Sequence, residues 1–317
     1  MEKVCAVLVT YNRQICLKKV ILGLKNQTQK IDKIFVFDNN SLDDTEEVLK
    51  DLGFSISSDE ADPIFKSNSY VSFKSGQNLG GSGGFSNAIR MAEKFDEDYL
   101  WIMDDDVLPE PDCLERMLSE MKKQKVKASI PNRSDENYTD YVVKSLDFNS
   151  CLKYAPYTRK QPYTQELTES SYRVADMAFE GPLIAMDVVR EIGAPNDGYF
   201  LEYDDSDYAQ RIQKKTAIIY VTKAKLHRQL ANKKNKTESK KDLYTWRTYY
   251  TYRNNIVFDQ TYGKNWRVRQ ISPRLMLIHK TIKSVLDGYA KNNLPILFKA
   301  YSDGIHHRMG KRVEPNY

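Results

Sequence analysis

Three consecutive carboxylates, Asp104-Asp105-Asp106, follow the apolar run Trp101-Ile102-Met103. Mutual repulsion makes such a run costly unless a cation sits against it. Hard oxygen donors select Mg2+ or Mn2+ over softer ions. In an extended chain Asp104 and Asp106 point to the same side. That pair can therefore grip a metal together with a metal-bound phosphate or sugar. An apolar strand before it and a glycine-rich turn upstream favour this reading over a solvated acidic turn.

A second acidic cluster, Tyr203-Asp204-Asp205-Ser206-Asp207, lies far along the chain. One carboxylate there can act as a general base toward a hydroxyl; an acidic helix N-terminus is the plainer alternative. His227 follows 22 residues after Asp205, where a third metal ligand beside the first cluster would have a role. Gln77-Asn78-Leu79-Gly80-Gly81-Ser82-Gly83-Gly84 clusters glycines before a helix, which lets backbone approach a phosphate or nucleotide. Its spacing is neither that of a dehydrogenase dinucleotide site nor that of a P-loop. Thr10-Tyr11-Asn12-Arg13 and Asp38-Asn39-Asn40-Ser41 end two apolar runs. They supply an aromatic, a carboxylate and amides suited to a nucleobase and its ribose.

These residues need elements to position them. Val4–Val9, Ile34–Phe37, Tyr70–Phe73 and Tyr99–Met103 read as strands. Between them Leu17, Val20, Ile21 and Leu24 fall at helical spacing. Ser41 with Asp44 resembles a capping box for a helix over Asp43–Leu52, and a further helix is expected over Phe85–Phe95. Pro109 and Pro111 are expected to start another. This order predicts an α/β fold, with a mainly parallel, doubly wound sheet. Ligands then sit at the carboxyl ends of the strands, where the polar turns lie. Short antiparallel strands are expected over 132–175, a helix over Asp187–Gly193 and a strand over Ala217–Val221.

Composition bounds the rest. The 317 residues are 41% hydrophobic, enough for a real core, and no internal repeat is evident. The cysteines Cys5, Cys16, Cys113 and Cys151 form no CxxC, as expected of reduced thiols in a cytoplasmic protein. No stretch approaches the roughly 20 apolar residues of a membrane span. Charge is uneven: from Arg211 to Tyr317 there are 24 Lys+Arg against 6 Asp+Glu, while the whole chain carries +5. Residues 231–241 read as a linker, and the aromatic-rich region beyond as helical. Leu275, Ile278, Ile282, Val285, Leu286 and Tyr289 recur at helical spacing beside Arg274, Lys280 and Lys283. Such a helix fits an anionic membrane surface or packs on the preceding domain; nucleic acid is not expected, for want of a module that binds it.

Taken together, VTYNR (9–13), FDNNS (37–41), NLGGSGGF (78–85), WIMDDD (101–106), GYFLEYDDSDYAQR (198–211) and His227 resemble family 2 glycosyltransferases of the GT-A fold. The branch holding galactofuranosyltransferases and rhamnosyltransferases is the most similar. The resemblance covers roughly residues 3–260 and implies a Rossmann-like, mainly parallel sheet with helices on both faces. It implies a catalytic domain over 1–230, with a nucleotide-binding half to about 130 and an acceptor half after it, and a basic helical region over 231–317. Thr10, Arg13 and Asp38 would contact the nucleotide, with Asp38 at the base. Asn78, Gly80, Gly81 and Asp105 would line the donor site, with Asp104 facing ribose or sugar. Asp106 and His227 would ligate Mn2+ or Mg2+. Asp205 would be the base, and Glu180, Tyr203 and Asp204 would meet the acceptor. The family's usual aromatic-Asp-Asp-x-Glu pattern ends here in Asp207.

The implied reaction is an inverting, single-displacement transfer to a glycan hydroxyl in bacterial surface polysaccharide synthesis. UDP-galactofuranose is the expected donor, and a lipid-linked glycan the expected acceptor. A dTDP-rhamnose rhamnosyltransferase is the alternative enzyme, and a non-catalytic sugar-nucleotide-binding protein the alternative of another class. The expected location is cytoplasmic, with the basic tail peripheral on the inner face of the membrane.

Overall fold

The computed structural model describes residues 2–136, 138–230 and 243–315. The linker expected at 231–241 lies outside the described residues. In the first half, strand and helix alternate: β1 (Val4–Thr10), α1 (Gln14–Lys25), β2 (Lys33–Asp38), α2 (Thr45–Asp51), β3 (Ser55–Ser57), α3 (Ile64–Ser67), β4 (Tyr70–Lys74), α4 (Gly80–Ala92) and β5 (Tyr99–Asp104). There follow β6 (Val107–Pro109), α5 (Cys113–Gln124), β7 (Ala128–Asn132), β8 (Val143–Leu146), β9 (Lys160–Pro162), β10 (Ser171–Val174), β11 (Leu183–Ala185), α6 (Met186–Ile192), α7 (Asp204–Gln213) and β12 (Ile218–Arg228). Among the described residues beyond β12 lie α8 (Trp246–Tyr262), α9 (Ser272–Leu286), which a π-helical turn over Arg267–Ile271 precedes, and α10 (Ala290–Ile305).

The main sheet runs β10-β12-β7-β11-β5-β1-β2-β4-β3, with β6 on β12. The β5-β1-β2-β4-β3 half is parallel throughout. In the other half β11 is antiparallel to both β5 and β7, and β10 is antiparallel to β12. Strand β1 is buried at every position, as a parallel strand covered on both faces must be. Its alternate side chains serve two cores. Cys5, Val7 and Val9 join Phe35, Phe37 and the α4 residues Phe85, Ala88 and Ile89. Val4, Ala6 and Leu8 join α1 through Leu17 and Ile21, and α5 through Met117. The period of two in β1 thus fixes a helical layer on each side.

Several local expectations are corrected. Helix α4 begins at Gly80, not Phe85, so the glycines form its first turns. A Cβ on Gly84 would meet Val9 at 2.8 Å, which is why the helix can settle onto β1 only without one. The Ser41/Asp44 capping box does not form. Ser41 Oγ instead accepts from the Asn12 amide at 3.0 Å, and Asp43 takes the Thr45 amide and hydroxyl. Pro109 ends a strand paired with β12 rather than opening a helix, and α5 starts at Cys113. In α6 the expected glycine stop is present, with Gly193 at φ 69.

The tail helices build a third core from Phe200, Tyr249, Tyr250, Tyr252, Ile256, Met276, Leu297 and Ala300. Helix α9 packs inward through Ser272, Pro273, Met276 and Ser284. Its apolar stripe is therefore the outward one: Ile278, Ile282, Val285 and Leu286 are 56%, 53%, 56% and 81% exposed. Among the described residues no helix is long and apolar enough to cross a membrane.

Candidate active site

Strand β5 ends at the carboxyl edge of the parallel half and delivers the three aspartates. Asp105, in the turn just past the strand, is buried, while Asp104 and Asp106 stay partly exposed. Ligand oxygens of all three lie within 4.8 Å of one another. Asp105 is held on three sides, by Thr10 Oγ1 at 2.9 Å, Arg13 Nη1 at 2.9 Å and the Tyr11 amide at 3.4 Å. The same Arg13 nitrogen reaches Asp106 Oδ2 at 3.0 Å. Burial pushes all three carboxyls above the usual aspartate range, and the neighbouring acids push Asp104 further. Arg13 opposes this for Asp105 and Asp106. Burial works against its own charge, yet Asp105 and Asp106 hold the guanidinium well above its ordinary value. Three hard carboxylates with one arginine as counter-charge form a donor set suited to a divalent cation.

The expected nucleotide residues are arranged around this point. Thr10 is 1% exposed and its hydroxyl is used on Asp105, so it orients the acid rather than presenting itself to a ligand. Asp38 is buried, and its Oδ1 accepts from the Ser41 amide at 2.8 Å. Asn78 Oδ1 accepts from the Gly80 amide at 2.8 Å and from Asn39 Nδ2 at 3.1 Å. Asn39 Oδ1 takes the Leu79 amide at 2.9 Å. Asn39, one of the amides expected near a nucleobase, thus ties the end of β2 to the glycine turn. Gly80 has φ +75, and a Cβ there would meet Phe200 at 2.8 Å, whereas Gly81 faces open space.

His227 stands on β12, paired with Leu108 of β6. Its Nε2 lies 3.0 Å from Glu110 and its Nδ1 3.5 Å from Asp135. It is not one of the group formed by the three aspartates. Next to it Arg228 turns to Glu180, with Nη2 at 2.6 Å from both carboxylate oxygens. Arg133 Nη1 reaches Glu180 at 2.7 Å. Burial would raise Glu180, but the two guanidinium groups outweigh it and hold the carboxyl below its usual value. Glu180, expected at the acceptor, is thus the centre of an arginine-carboxylate cluster.

Helix α7 carries Asp204 and Asp205 in its first turn, where the helix dipole favours acids. Burial pushes Asp204 up to about 6 and Asp205 up to about 8. For Asp205, Asp204 and Asp176 add to the rise and Lys160 opposes it. Asp205 lines a cleft of about 230 Å3 with Lys160, Asp176, Arg133, Arg228 and Tyr138. Arg228, in that cleft, also acts on Asp106, where its charge opposes the rise. Tyr203, another residue expected at the acceptor, is 5% exposed. It stacks on Tyr157 with centroids 5.6 Å apart and donates its hydroxyl to Asn255 at 3.0 Å. Its place is structural. The signal that was missed is the run Arg253-Asn254-Asn255, three polar residues in the middle of an aromatic helix. All three are buried and bonded to the 198–203 loop.

Comparison with known proteins agrees with this geometry. GlfT1, a galactofuranosyltransferase of Mycolicibacterium smegmatis, is 27% identical over 222 residues, covering 67% of this chain and 65% of its own length. A GalNAc(5)-diNAcBac-PP-undecaprenol beta-1,3-glucosyltransferase of Campylobacter jejuni is 42% identical over 52 residues, 16% of this chain and 17% of that protein. The chain thus spans less than two thirds of either relative. Among solved structures, GalNAc-T7 with UDP, GalNAc and Mn2+ superposes with a TM-score of 0.56 at 14% identity, over 85% of this chain and 53% of the other. S. aureus TarS 1-349 in complex with UDP-GlcNAc does so with a TM-score of 0.53 at 10% identity, over 96% and 82%. At those identities the likeness concerns the fold, a GT-A type mixed sheet flanked by helices. The family model described as glycosyl transferase family 2 matches residues 5–192, from β1 through α6. With more than half its length matched, and the acidic triad at the end of β5 inside the match, this chain belongs to glycosyl transferase family 2.

Proposed function

We propose that the protein is an inverting, metal-dependent glycosyltransferase that moves a sugar from a nucleotide donor to a glycan hydroxyl. The observation that carries this reading is the pairing of two acidic centres. A tight aspartate triad lies at the end of β5, and a half-buried aspartate on α7 lines a cleft that also holds Arg228, whose charge acts on Asp106.

Asp104 and Asp106 would hold Mn2+ or Mg2+, with His227 as a candidate third ligand on β12. When bound, the metal supplies charge neutralisation for the departing diphosphate. The chain's own residues do the rest. Thr10, Tyr11 and Arg13 fix Asp105 between the two ligand acids. The half-exposed Arg13 guanidinium is placed to answer negative charge on a diphosphate. Asp38, Asn78, Gly80 and Gly81 form the donor edge, with Asp38 toward the base. Asp205 takes the proton of the attacking hydroxyl at its carboxylate as the bond from anomeric carbon to phosphate oxygen breaks. A direct displacement needs no covalent intermediate.

UDP-galactofuranose is the proposed donor, supported by the likeness to a galactofuranosyltransferase. The acceptor is read as a lipid-linked glycan, met at the cytoplasmic face of a membrane. The outward apolar stripe of α9 with its basic neighbours supports contact with an anionic surface. Residues 1–230 are read as the catalytic unit, divided near 130 into nucleotide and acceptor halves. The region from 231 onward serves that unit through α8. UDP release measured over a panel of nucleotide sugars with Mn2+ tests the reading. Release from one donor, slowed about 10²-fold or more in Asp205→Asn, supports it; absence of release from every donor rejects it.

A further inference from the structure

The cleft that holds Asp205 has a second polar wall, to which the reaction above gives no part. Most of its charges are satisfied within the protein. Arg133 is engaged by Asp140 and Glu180, and Arg228 by Glu180. Lys160, on β9, forms an ion pair with Asp176 Oδ2. The exception is Asp176 Oδ1, which is buried without a hydrogen-bond partner among the described residues, in a side chain only 5% exposed. A carboxylate oxygen can only accept, so it stays unsatisfied until a donor reaches it.

Asp176 cannot easily swing away to find water. The preceding Ala175 amide donates to Val143 at 2.9 Å, and its carbonyl accepts from Gln210 at 2.7 Å and Gln213 at 2.9 Å. Met177 and Phe179, which follow, are core residues. The chain is thus pinned on both sides, with Asp176 among the residues that line the cleft. A cation would meet Lys160, Arg133 and Arg228 in the same cleft. A neutral O–H fits better, because it donates to the carboxylate and can accept from the ammonium beside it. Asp205 lies in the same cleft and feels both charges, with opposite signs.

We propose that Asp176 and Lys160 form a hydroxyl-reading subsite for the acceptor sugar, taking a second hydroxyl of the ring whose reacting hydroxyl faces Asp205. The proposal rests on the glycosyltransferase reading of Asp205. The subsite fixes which hydroxyl of the acceptor reaches the base, so it sets linkage position.

The test uses UDP-galactofuranose, Mn2+ and octyl glycosides of galactofuranose, rhamnose and galactose, together with the monodeoxy analogues of whichever is used fastest. The wild-type protein should reject one monodeoxy analogue at least tenfold in kcat/KM, mainly through KM, as a site built to bond a hydroxyl does. In the double variant Lys160→Met, Asp176→Leu, which leaves neither charge unpaired, that discrimination should fall below about threefold. Asp176→Asn should reduce the same discrimination and leave the others as they are. A merely structural role would slow all acceptors alike. Equal use of every monodeoxy analogue by the wild-type protein, or discrimination unchanged in both variants, overturns the subsite alone. Absence of UDP release from any donor overturns the glycosyltransferase reading and the subsite with it.

Discussion

The side-chain amide of Asn254, midway along α8, donates to the main-chain carbonyl of Glu202 at 3.0 Å. The same nitrogen reaches the carbonyls of Leu201 at 2.6 Å and Tyr199 at 3.1 Å, and Arg253 Nη2 adds a bond to Tyr199 at 2.6 Å. In this loop Phe200, Glu202 and Tyr203 all have positive φ, at 63, 62 and 70. Side chains other than glycine hold such torsions only where the surroundings over-determine them. A tail helix thus sets where α7 begins, and with it the place of Asp205.

Asn254→Ala should therefore destabilise the protein by about 1–3 kcal/mol, the cost of leaving buried carbonyls unpaired. It should lower kcat more than it raises the donor KM, since the donor edge lies on other elements. Denaturant unfolding and steady-state kinetics check this; an unchanged kcat would separate α8 from the base.

Asp205 acts as a base only when unprotonated. Burial and the acids beside it push it up to about 8, so kcat/KM should rise with pH through that region. Asp205→Asn should lose about 10²-fold or more in rate. Stability runs the other way. Between the ordinary aspartate value of about 4 and about 8, the folded chain keeps a proton that the unfolded chain has released. The group's contribution to stability is then lost as pH rises across this window, and Asp205→Asn should melt with a shallower pH slope. An acid limb near pH 5, or identical slopes, would contradict the assignment.

Mn2+ should raise the melting temperature of the wild-type protein by mass action. Asp106→Ala should remove that shift, because a hard cation loses a primary oxygen. His227→Ala should reduce it less, since its ring faces Glu110 and Asp135. A full shift in Asp106→Ala would place the cation elsewhere.

Two adjacent glycines should behave differently. Gly80→Ala forces a side chain into positive φ and against Phe200, so it should lower stability and donor use together. Gly81 has open space around its Cβ position, and alanine is the better helix former by up to about 1 kcal/mol. Gly81→Ala should fold at least as well as the wild type, and any loss in UDP release would then mark a donor contact. Thermal melts paired with donor KM distinguish the two; equal effects at both positions would refute the contrast.

The outward stripe of α9 should bind vesicles containing anionic lipid, more weakly as salt is added. Ile282→Glu with Leu286→Glu should reduce co-sedimentation while transfer to a soluble octyl acceptor continues. Replacing Arg274, Lys280 and Lys283 by Glu should act in the same direction. Equal sedimentation with neutral and anionic vesicles, or none with either, would show that the stripe serves another purpose.

The parallel half of the fold was legible because its cause is local. An unbroken apolar run such as Val4–Val9 must be buried on both faces, and Leu17, Val20, Ile21 and Leu24 must line one helical face. The acidic triad was legible for a related reason: three adjacent carboxylates after an apolar strand state their chemistry in sequence order. What the sequence did not show depends on contacts between distant segments. Thr10 and Asp105 are 95 residues apart, and only strand pairing turns Thr10 from a ligand contact into the residue that aims an acid. Tyr203 stood in a motif and proved to be buried, because α8 returns across the chain to cover it. The stripe of α9 has helical periodicity in sequence, but periodicity does not say which face is inward. Met276 and three small residues pack instead, so the longer apolar side chains were left outside. Spacing along a chain determines which side chains share a face; which face is covered is settled only when the other elements have taken their places.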